Sequence, residues 1–218
     1  MKSNKASFSP AMIVCQRDIG ERSAFPLLNL PLGVCLMTTM RTAFVSFLFC
    51  LPVAAQQPAA LTALARNAVL SAVRGTPAPT VRSQTPPRPV FVTIERDGRV
   101  LGCRGGLEAR TGSLEQEIVL AAQAAAIHDP RYRRLSHEDT RRFLVTVTIV
   151  DRLEPVADVS GLSPSDGLVL RSGTRCGVVL PWEGKDPVVR LQWAYRKAGV
   201  AEGSRVQLFR LKAERYRG

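Results

Sequence analysis

Histidine and cysteine, the side chains that most often bind transition metals, are scarce in this sequence. Its 218 residues include two His and five Cys. His128 and His137 do not have the spacing of paired ligands on one helix, and Cys103 and Cys176 lie too far apart for a zinc ribbon. Five scattered cysteines are also too few for a small domain held together by disulfides. The sequence therefore predicts no metal site.

The sequence also lacks the motifs of the common nucleotide-binding and hydrolytic enzymes. It contains no P-loop, no Gly-x-Ser-x-Gly and no dinucleotide fingerprint, because the glycine cluster at 102–106 does not have their spacing. No cofactor is therefore predicted.

Acidic residues are outnumbered by basic ones. There are 30 Lys and Arg against 18 Asp and Glu, a formal charge of +12 in a chain that is 45% hydrophobic. This hydrophobic content is typical of a folded globular protein. An excess of positive charge can serve to bind nucleic acid, to bind anionic envelope polymers, or only to keep the protein surface solvated. Aromatic residues are only 6% and do not interleave with a basic run, which favours the solvated surface, and no specific nucleic-acid partner is expected.

Residues 37–55 have the order of a secretory signal peptide. A basic residue precedes an apolar run at 43–51, and small residues at Val53 and Ala55 precede Gln56. The run is shorter than the ~20 residues that span a bilayer, so we expect no transmembrane anchor in the mature chain. We predict cleavage before Gln56 and export to the periplasm or the extracellular space.

The segment 1–36 shows neither helical nor strand periodicity. A signal peptide behind so many residues would be hard for a secretion machinery to use. The hypothesis is that translation starts at Met37 or Met40 and that 1–36 is a spurious extension. The alternative is that the apolar run is a buried strand or helix of an N-terminal extension.

Proline, glycine and capping residues divide the rest of the chain into helices and strands. Helices are predicted at 61–73, 115–127 and 187–198, hairpins at 90–103 and 167–181, and single strands at 143–151 and 206–211. Hairpins outnumber crossover units, so the predicted class is α+β, with a mostly antiparallel sheet and flanking helices. The glycines that end the first hairpin permit a bulge or a close backbone approach.

From Pro58 to Arg215 the sequence resembles the AMMECR-type domain family, named after the human chromosomal region for Alport syndrome, midface hypoplasia and elliptocytosis. Six blocks occur in the family's order: LARNAV, VFVTIERDGRVLGCRGG, AAIHDPRYRRL, FLVTVTIVDRLEPV, DGLVLRSGTRCGVVLP and RKAGV. The resemblance implies one domain at 56–218, with a larger and a smaller subdomain facing each other across a cleft. It implies no assigned reaction. Microbial members often accompany Memo-like and radical-SAM proteins, which implies an enzyme or an accessory to one.

The sequence departs from the family in its signature block. The family has Leu-Arg-Gly-Cys-Ile-Gly where this chain has residues 100–105, so Leu101 replaces the Arg and Arg104 replaces the Ile. Residues an odd number of positions apart face opposite sides of a regular strand, so Arg104 does not substitute for the missing Arg unless the glycines bulge the chain. Trp182 also replaces the Gln of a Leu-Pro-Gln block.

Cys103 is a candidate catalytic thiolate, because Arg104 beside it in a glycine-flanked turn would lower its pKa. Gly102, Arg104 and Gly105 are the candidate ligand-binding residues around it. The alternative is that Cys103 is a small buried hydrophobe at a strand end. The resemblance places Cys103 on the cleft side and gives Cys176 no family role, and we predict that the two are not bridged by a disulfide.

The loop after the second helix supplies the remaining candidates. His128 and Asp129 are candidate acid–base groups, and Arg131 is a candidate anion clamp. The alternative is a helix-ending loop in which Asp129 caps and Arg131 pairs with it. Two function classes follow: an exported cleft enzyme, or accessory to one, acting on a small anionic ligand, and a non-catalytic envelope module that binds an anionic ligand or a partner protein.

Overall fold

The computed structural model describes residues 13–14, 57–83 and 85–218. The predicted signal peptide lies outside the described residues, as does the 1–36 segment except for the two-residue strand β1, Ile13–Val14. Among the described residues, none of the helices has the length and apolar character needed to cross a membrane.

All three predicted helices are present: α1, Gln57–Arg74, α2, Leu114–Ile127, and α3, Pro187–Ala198. Their ends follow the sequence signals. The Ser113 side chain accepts a hydrogen bond from the Gln116 N–H at the start of α2, and Asp186 accepts from Val188 N–H at the start of α3. Gly199 ends α3 in the left-handed conformation, with φ 64°, which glycine adopts at little cost.

Six further strands form one antiparallel sheet with β1. They are β2, Val90–Arg96; β3, Arg99–Gly105; β4, Leu144–Val156; β5, Gly167–Ser172; β6, Arg175–Val179; and β7, Gln207–Arg217. The order across the sheet is β1-β6-β5-β7-β4-β2-β3, and every pair is antiparallel. The predicted α+β class is therefore confirmed. The last strand is longer than its apolar pattern indicated, because it continues to Arg217 beside β4.

The turn of the first hairpin also matches its sequence. Asp97 and Gly98 both have positive φ, 51° and 74°, which is the geometry of a type I′ turn. The pairing of β2 with β3 shifts between Ile94 and Glu95, so the glycine-containing strand bulges around Leu101. The bulge that the glycines permit is therefore present.

The two subdomains have separate cores on the same face of the curled sheet. In the larger one, α1 and α2 cover β2 and β4, with Val92, Ile118 and Val147 fully buried. In the smaller one, α3 covers β5 and β6 around Leu168 and Ala194. On β7, Tyr216 packs against the first core and Leu208 against the second. These positions have the same parity, so all three helices lie on one face.

Helices α2 and α3 come close to their strands because a glycine lies beneath each of them. A Cβ on Gly102 would lie 2.1 Å from the Ala125 carbonyl oxygen of α2, and one on Gly177 would lie 2.0 Å from the Ala194 carbonyl oxygen of α3. No side chain fits in either gap. Apart from the glycines, small residues on α2, such as Ala121 and Ala125, are buried.

Candidate functional site

The sheet face that carries no helix curls around a cleft between the two subdomains. The cleft has a volume of about 650 Å³. Part of this face is closed by a third apolar cluster, in which Phe91 of β2 meets Val178 of β6 and Leu211 of β7. The open part is lined by threonines on neighbouring strands, with Thr93 directly opposite Thr146. The subdomain arrangement implied by the sequence therefore encloses a cavity of ligand size.

Cys103 is one of the residues that line this cleft. It is within strand β3 rather than in a turn, directly opposite Thr93. Its Sγ accepts a hydrogen bond from Thr93 Oγ1 at 3.2 Å. The thiol of Cys103 is free, so Cys103 and Cys176 are not bridged to each other in this structure.

Asp129 and Arg131 hold the backbone of Cys103 from the loop after α2. The Cys103 N–H donates to Asp129 Oδ2 at 2.8 Å, and Arg131 Nη2 donates to the Cys103 carbonyl oxygen at 2.6 Å. Arg131 also bonds both carboxylate oxygens of Asp129, through Nε at 3.0 Å and Nη2 at 2.8 Å. This pairing agrees with the alternative interpretation of the loop, although Asp129 binds a neighbouring strand instead of capping its own helix.

The thiol does not have the lowered pKa that the sequence suggested. Burial raises the pKa of Cys103, and the Glu183 carboxylate raises it further, whereas the Thr93 hydrogen bond and the charges of Lys197 and Arg131 lower it by less. Cys103 is therefore protonated at neutral pH. The sequence argument was wrong because a neutral thiol is favoured by desolvation, which depends on packing rather than on adjacent residues.

The Asp129–Arg131 pair that bonds the backbone of Cys103 is ionised. Burial raises the pKa of Asp129, but hydrogen bonds from the Arg131 side chain and the Cys103 N–H outweigh burial, so the pKa lies below its usual range. The same ion pair holds the pKa of Arg131 above its ordinary value against desolvation. Asp129 is consequently an acceptor committed to positioning β3, rather than an available general base.

The opposite wall carries an ion pair that the sequence did not single out. Lys197 Nζ on α3 lies 2.6 Å from Glu183 Oε2 and donates to the Val178 carbonyl oxygen at 2.8 Å. Glu183 Oε2 also accepts the Leu180 N–H at 3.1 Å. With Cys103 and Arg131, this pair lines a small cavity of about 20 Å³ next to the cleft, which is room for one water-sized molecule.

Three further arginines line the larger cleft: Arg99 of β3, Arg196 of α3 and Arg215 of β7. All three are exposed, and none forms an ion pair with another residue that the structure describes. The cleft's acidic side chains are already paired, Glu183 with Lys197 and Glu95 with Arg217. The cleft therefore has an excess of uncompensated positive charge.

Aromatic side chains line the same cavity. Both tryptophans of the chain, Trp182 and Trp193, belong to its wall, together with Tyr132. Trp182 is 57% exposed and has a φ of 67°. A positive φ is uncommon for a residue with a bulky side chain.

Comparison with known proteins agrees with the sequence resemblance. A profile of the AMMECR1 family matches residues 61–218. This chain belongs to the AMMECR1 family. A protein from Thermotoga maritima is 38% identical over 132 residues, which cover 58% of this chain and 76% of the relative. A protein from Aeropyrum pernix is 36% identical over 128 residues, covering 52% of this chain and 55% of the relative.

The fold is shared with a protein of solved structure. The crystal structure of an uncharacterized protein from Pyrococcus horikoshii superposes with a TM-score of 0.62 at 22% identity, covering 74% of this chain and 91% of that chain. The chain spans about half the length of the Aeropyrum pernix relative and about three quarters of the length of the Thermotoga maritima relative.

The structure of this AMMECR1 domain brings together only some of the predicted site residues. Cys103 and Arg131 line the cleft, and Arg104 and Gly105 line the small cavity beside it. Gly102 faces α2 instead. The chain's other candidate base, His128, is exposed at the end of α2 and is not among the residues that line either cavity.

The departure in the signature block has a structural explanation. The bulge in β3 lets Leu101 pack against the core beneath α2, where an apolar side chain is stabilising. Arg104 lies opposite Val92 in the strand register and is among the residues that line the small cavity. In the described part of this AMMECR1 domain, no three His, Cys, Asp or Glu side chains converge as metal ligands would.

Proposed function

We propose that the AMMECR1 domain binds a small anionic ligand in the cleft between its subdomains. The observation that carries this proposal is the set of unpaired arginines, Arg99, Arg196 and Arg215, around a cavity of about 650 Å³. A cavity of this volume is within the usual range for small-molecule sites, roughly 300–1,000 Å³. Guanidinium groups that are not paired with a carboxylate of the protein are suited to bind the phosphate or carboxylate group of a ligand.

The chemistry at Cys103 favours binding over catalysis by a thiolate. Burial keeps the thiol protonated, and both backbone polar groups of Cys103 are bonded to Asp129 and Arg131. A nucleophilic role would need a base that removes the proton. Asp129 is committed to its own ion pair. We therefore propose that the site binds and presents its ligand, as an accessory or a binding module does.

The test is anion binding by calorimetry, with inorganic phosphate, citrate and ribose 5-phosphate as probes. Replacing Arg196 or Arg215 by Gln is expected to weaken binding of the tightest anion by roughly tenfold, the loss of one charge-assisted contact. Arg142→Gln is the matched control, because Arg142 is exposed and does not line the cleft. Equal affinities for all three variants, or no binding by any anion at millimolar concentration, would refute the proposal.

We also propose that the mature chain is exported, on the strength of the signal-peptide pattern at residues 37–55. A chain that begins at Met40 is expected to reach the periplasm of a bacterial host and to be cleaved before Gln56. The N-terminal sequence of the periplasmic product tests this. An uncleaved cytoplasmic product would contradict it.

A further inference from the structure

We infer that the anionic group of the cleft ligand is attached to a planar conjugated ring, which stacks on Trp182 and Trp193. This inference rests on the proposed function and adds the chemical class of the ligand: a phosphate or carboxylate carried by an aromatic or heteroaromatic ring. The two tryptophans are the only ones in the sequence, and both line the cleft.

Trp182 is placed at the cleft by a backbone conformation that is costly for its residue type. Its φ of 67° is in the left-handed region, which costs a non-glycine residue about 1 kcal/mol or more. The loop is held there by hydrogen bonds from the Trp182 N–H to the Pro164 carbonyl oxygen, 2.8 Å, and from the Glu183 N–H to the Leu180 carbonyl oxygen, 3.2 Å.

Packing of the indole does not compensate for this strain. Trp182 is 57% exposed, and it belongs to none of the three apolar clusters of the described residues. A large aromatic side chain held out of the core at the wall of a charged cavity is suited to contact with a planar partner. Strained backbone with an exposed functional side chain is typical of binding sites.

Trp193 is more firmly fixed and has a cation beside it. Its ring packs over Gly184, where an added Cβ would lie 3.0 Å from ring atom Cζ3, and it contacts the smaller core. Arg196 is three residues further along α3, so it lies on the same helix face as Trp193. Both side chains line the cleft. A ring and an attached anion can therefore be bound from one helix face.

The size of the cavity favours a small molecule over a polymer. The cleft lies between the two subdomains, and its lining mixes basic side chains with two acidic ones, Glu95 and Glu183, rather than forming a continuous basic groove. The shared chemistry of the ligand, a planar ring with an anion, fits two sources: a nucleotide or an aromatic carboxylic acid.

Matched pairs of probes separate the ring from the charge. Adenosine 5′-monophosphate is compared with ribose 5-phosphate, which has the charge without the base, and with adenosine, which has the base without the charge. In the second pair, 4-hydroxybenzoate is compared with cyclohexanecarboxylate, whose ring is not planar. We expect at least one planar anion to bind about fivefold or more tightly than its non-planar partner, the effect of one stacking contact. Dissociation constants come from calorimetry, and quenching of tryptophan fluorescence locates binding, since both fluorophores line the cleft.

The Trp182→Gln variant tests the location of the stacking. It is expected to reduce the preference for the planar anion, because only Trp193 then remains to stack on the ring, and to leave ribose 5-phosphate binding unchanged. Val188→Gln is the control, because Val188 is a comparably exposed apolar residue, at 59%, that does not line the cleft. A preference that is undiminished in Trp182→Gln overturns the inference.

The remaining outcomes separate this inference from the proposed function. If ring-free anions bind as tightly as planar ones, the cleft is an anion site and the planar-ring inference is wrong. If no anion binds, both are wrong. If a short single-stranded oligonucleotide binds far more tightly than adenosine 5′-monophosphate, the partner is a polymer, and the small-ligand inference is overturned.

Discussion

Replacing Gly102 by Ala is expected to destabilise the larger subdomain more than adding a methyl group at a surface position would. The new Cβ would lie 2.1 Å from the Ala125 carbonyl oxygen, whereas ordinary contact begins at 3.4 Å, so α2 would have to retreat by about 1.3 Å. Overpacking of this kind costs typically 1–3 kcal/mol. Because the obstacle is backbone, which cannot rotate away, we expect about 3 kcal/mol.

The free energy of unfolding from urea titration measures this loss directly. The melting temperature should fall by about 6–12 °C, since 1 kcal/mol corresponds to roughly 2–4 °C in a domain of this size. Gly106→Ala is the control, because its added Cβ would meet nothing closer than the Glu108 carbonyl oxygen at 3.4 Å. That variant should remain within about 1 kcal/mol of the unsubstituted protein.

A second substitution tests the cause. Shortening Ala125 to Gly removes its methyl group but leaves its carbonyl oxygen, so it should not restore the stability of Gly102→Ala. A loss below about 1 kcal/mol for Gly102→Ala, or recovery in the double variant, would refute the argument that this glycine is required by the helix backbone.

Three further predictions concern the site. Asp129→Asn should cost roughly 2–4 kcal/mol at neutral pH, because it leaves the Arg131 charge without its buried partner. Since the folded pKa of Asp129 is lowered, its contribution is present above the ordinary Asp value of about 3.9 and is lost as the pH falls; urea midpoints between pH 5 and 2 should fall less steeply in the variant. Thiol modification of Cys103 should keep accelerating above pH 9, because burial raises its pKa; a plateau near pH 8 would contradict this. Trp182→Gly should leave unfolding free energy unchanged or raise it by up to about 1 kcal/mol, because glycine relieves the positive φ; a clear loss in the same urea titration would mean that the indole is structural.

Local features of the fold were predictable from the sequence. The caps at Ser113 and Asp186 and the turn at Asp97-Gly98 depend on residues within a few positions of one another. Thr146 and Thr148 are two positions apart in β4, so they share one strand face, and both line the cleft. The full length of β7 was not predictable, because its polar end forms a strand only by pairing with β4.

The site was less predictable because it joins distant parts of the chain. Curling of the sheet brings Cys103 near Glu183 and Lys197, and sequence spacing contains no signal for this curl. The burial that raises the Cys103 pKa has the same origin. One signal was available for the aromatic wall: a chain with only two tryptophans has both in this region, Trp182 and Trp193.

The hydrogen bonds from the Asp129 and Arg131 loop to Cys103 also affect how the protein behaves towards copies of itself. Strand β3 is the last strand of its sheet, and edge strands with free N–H and carbonyl groups invite pairing with other chains. At Cys103 both groups are already bonded to side chains, at 2.8 Å and 2.6 Å. The side chains of the loop thus make the hydrogen bonds that a neighbouring strand would make at this edge. Asp129→Asn should therefore raise the tendency of the protein to aggregate as well as lower its stability.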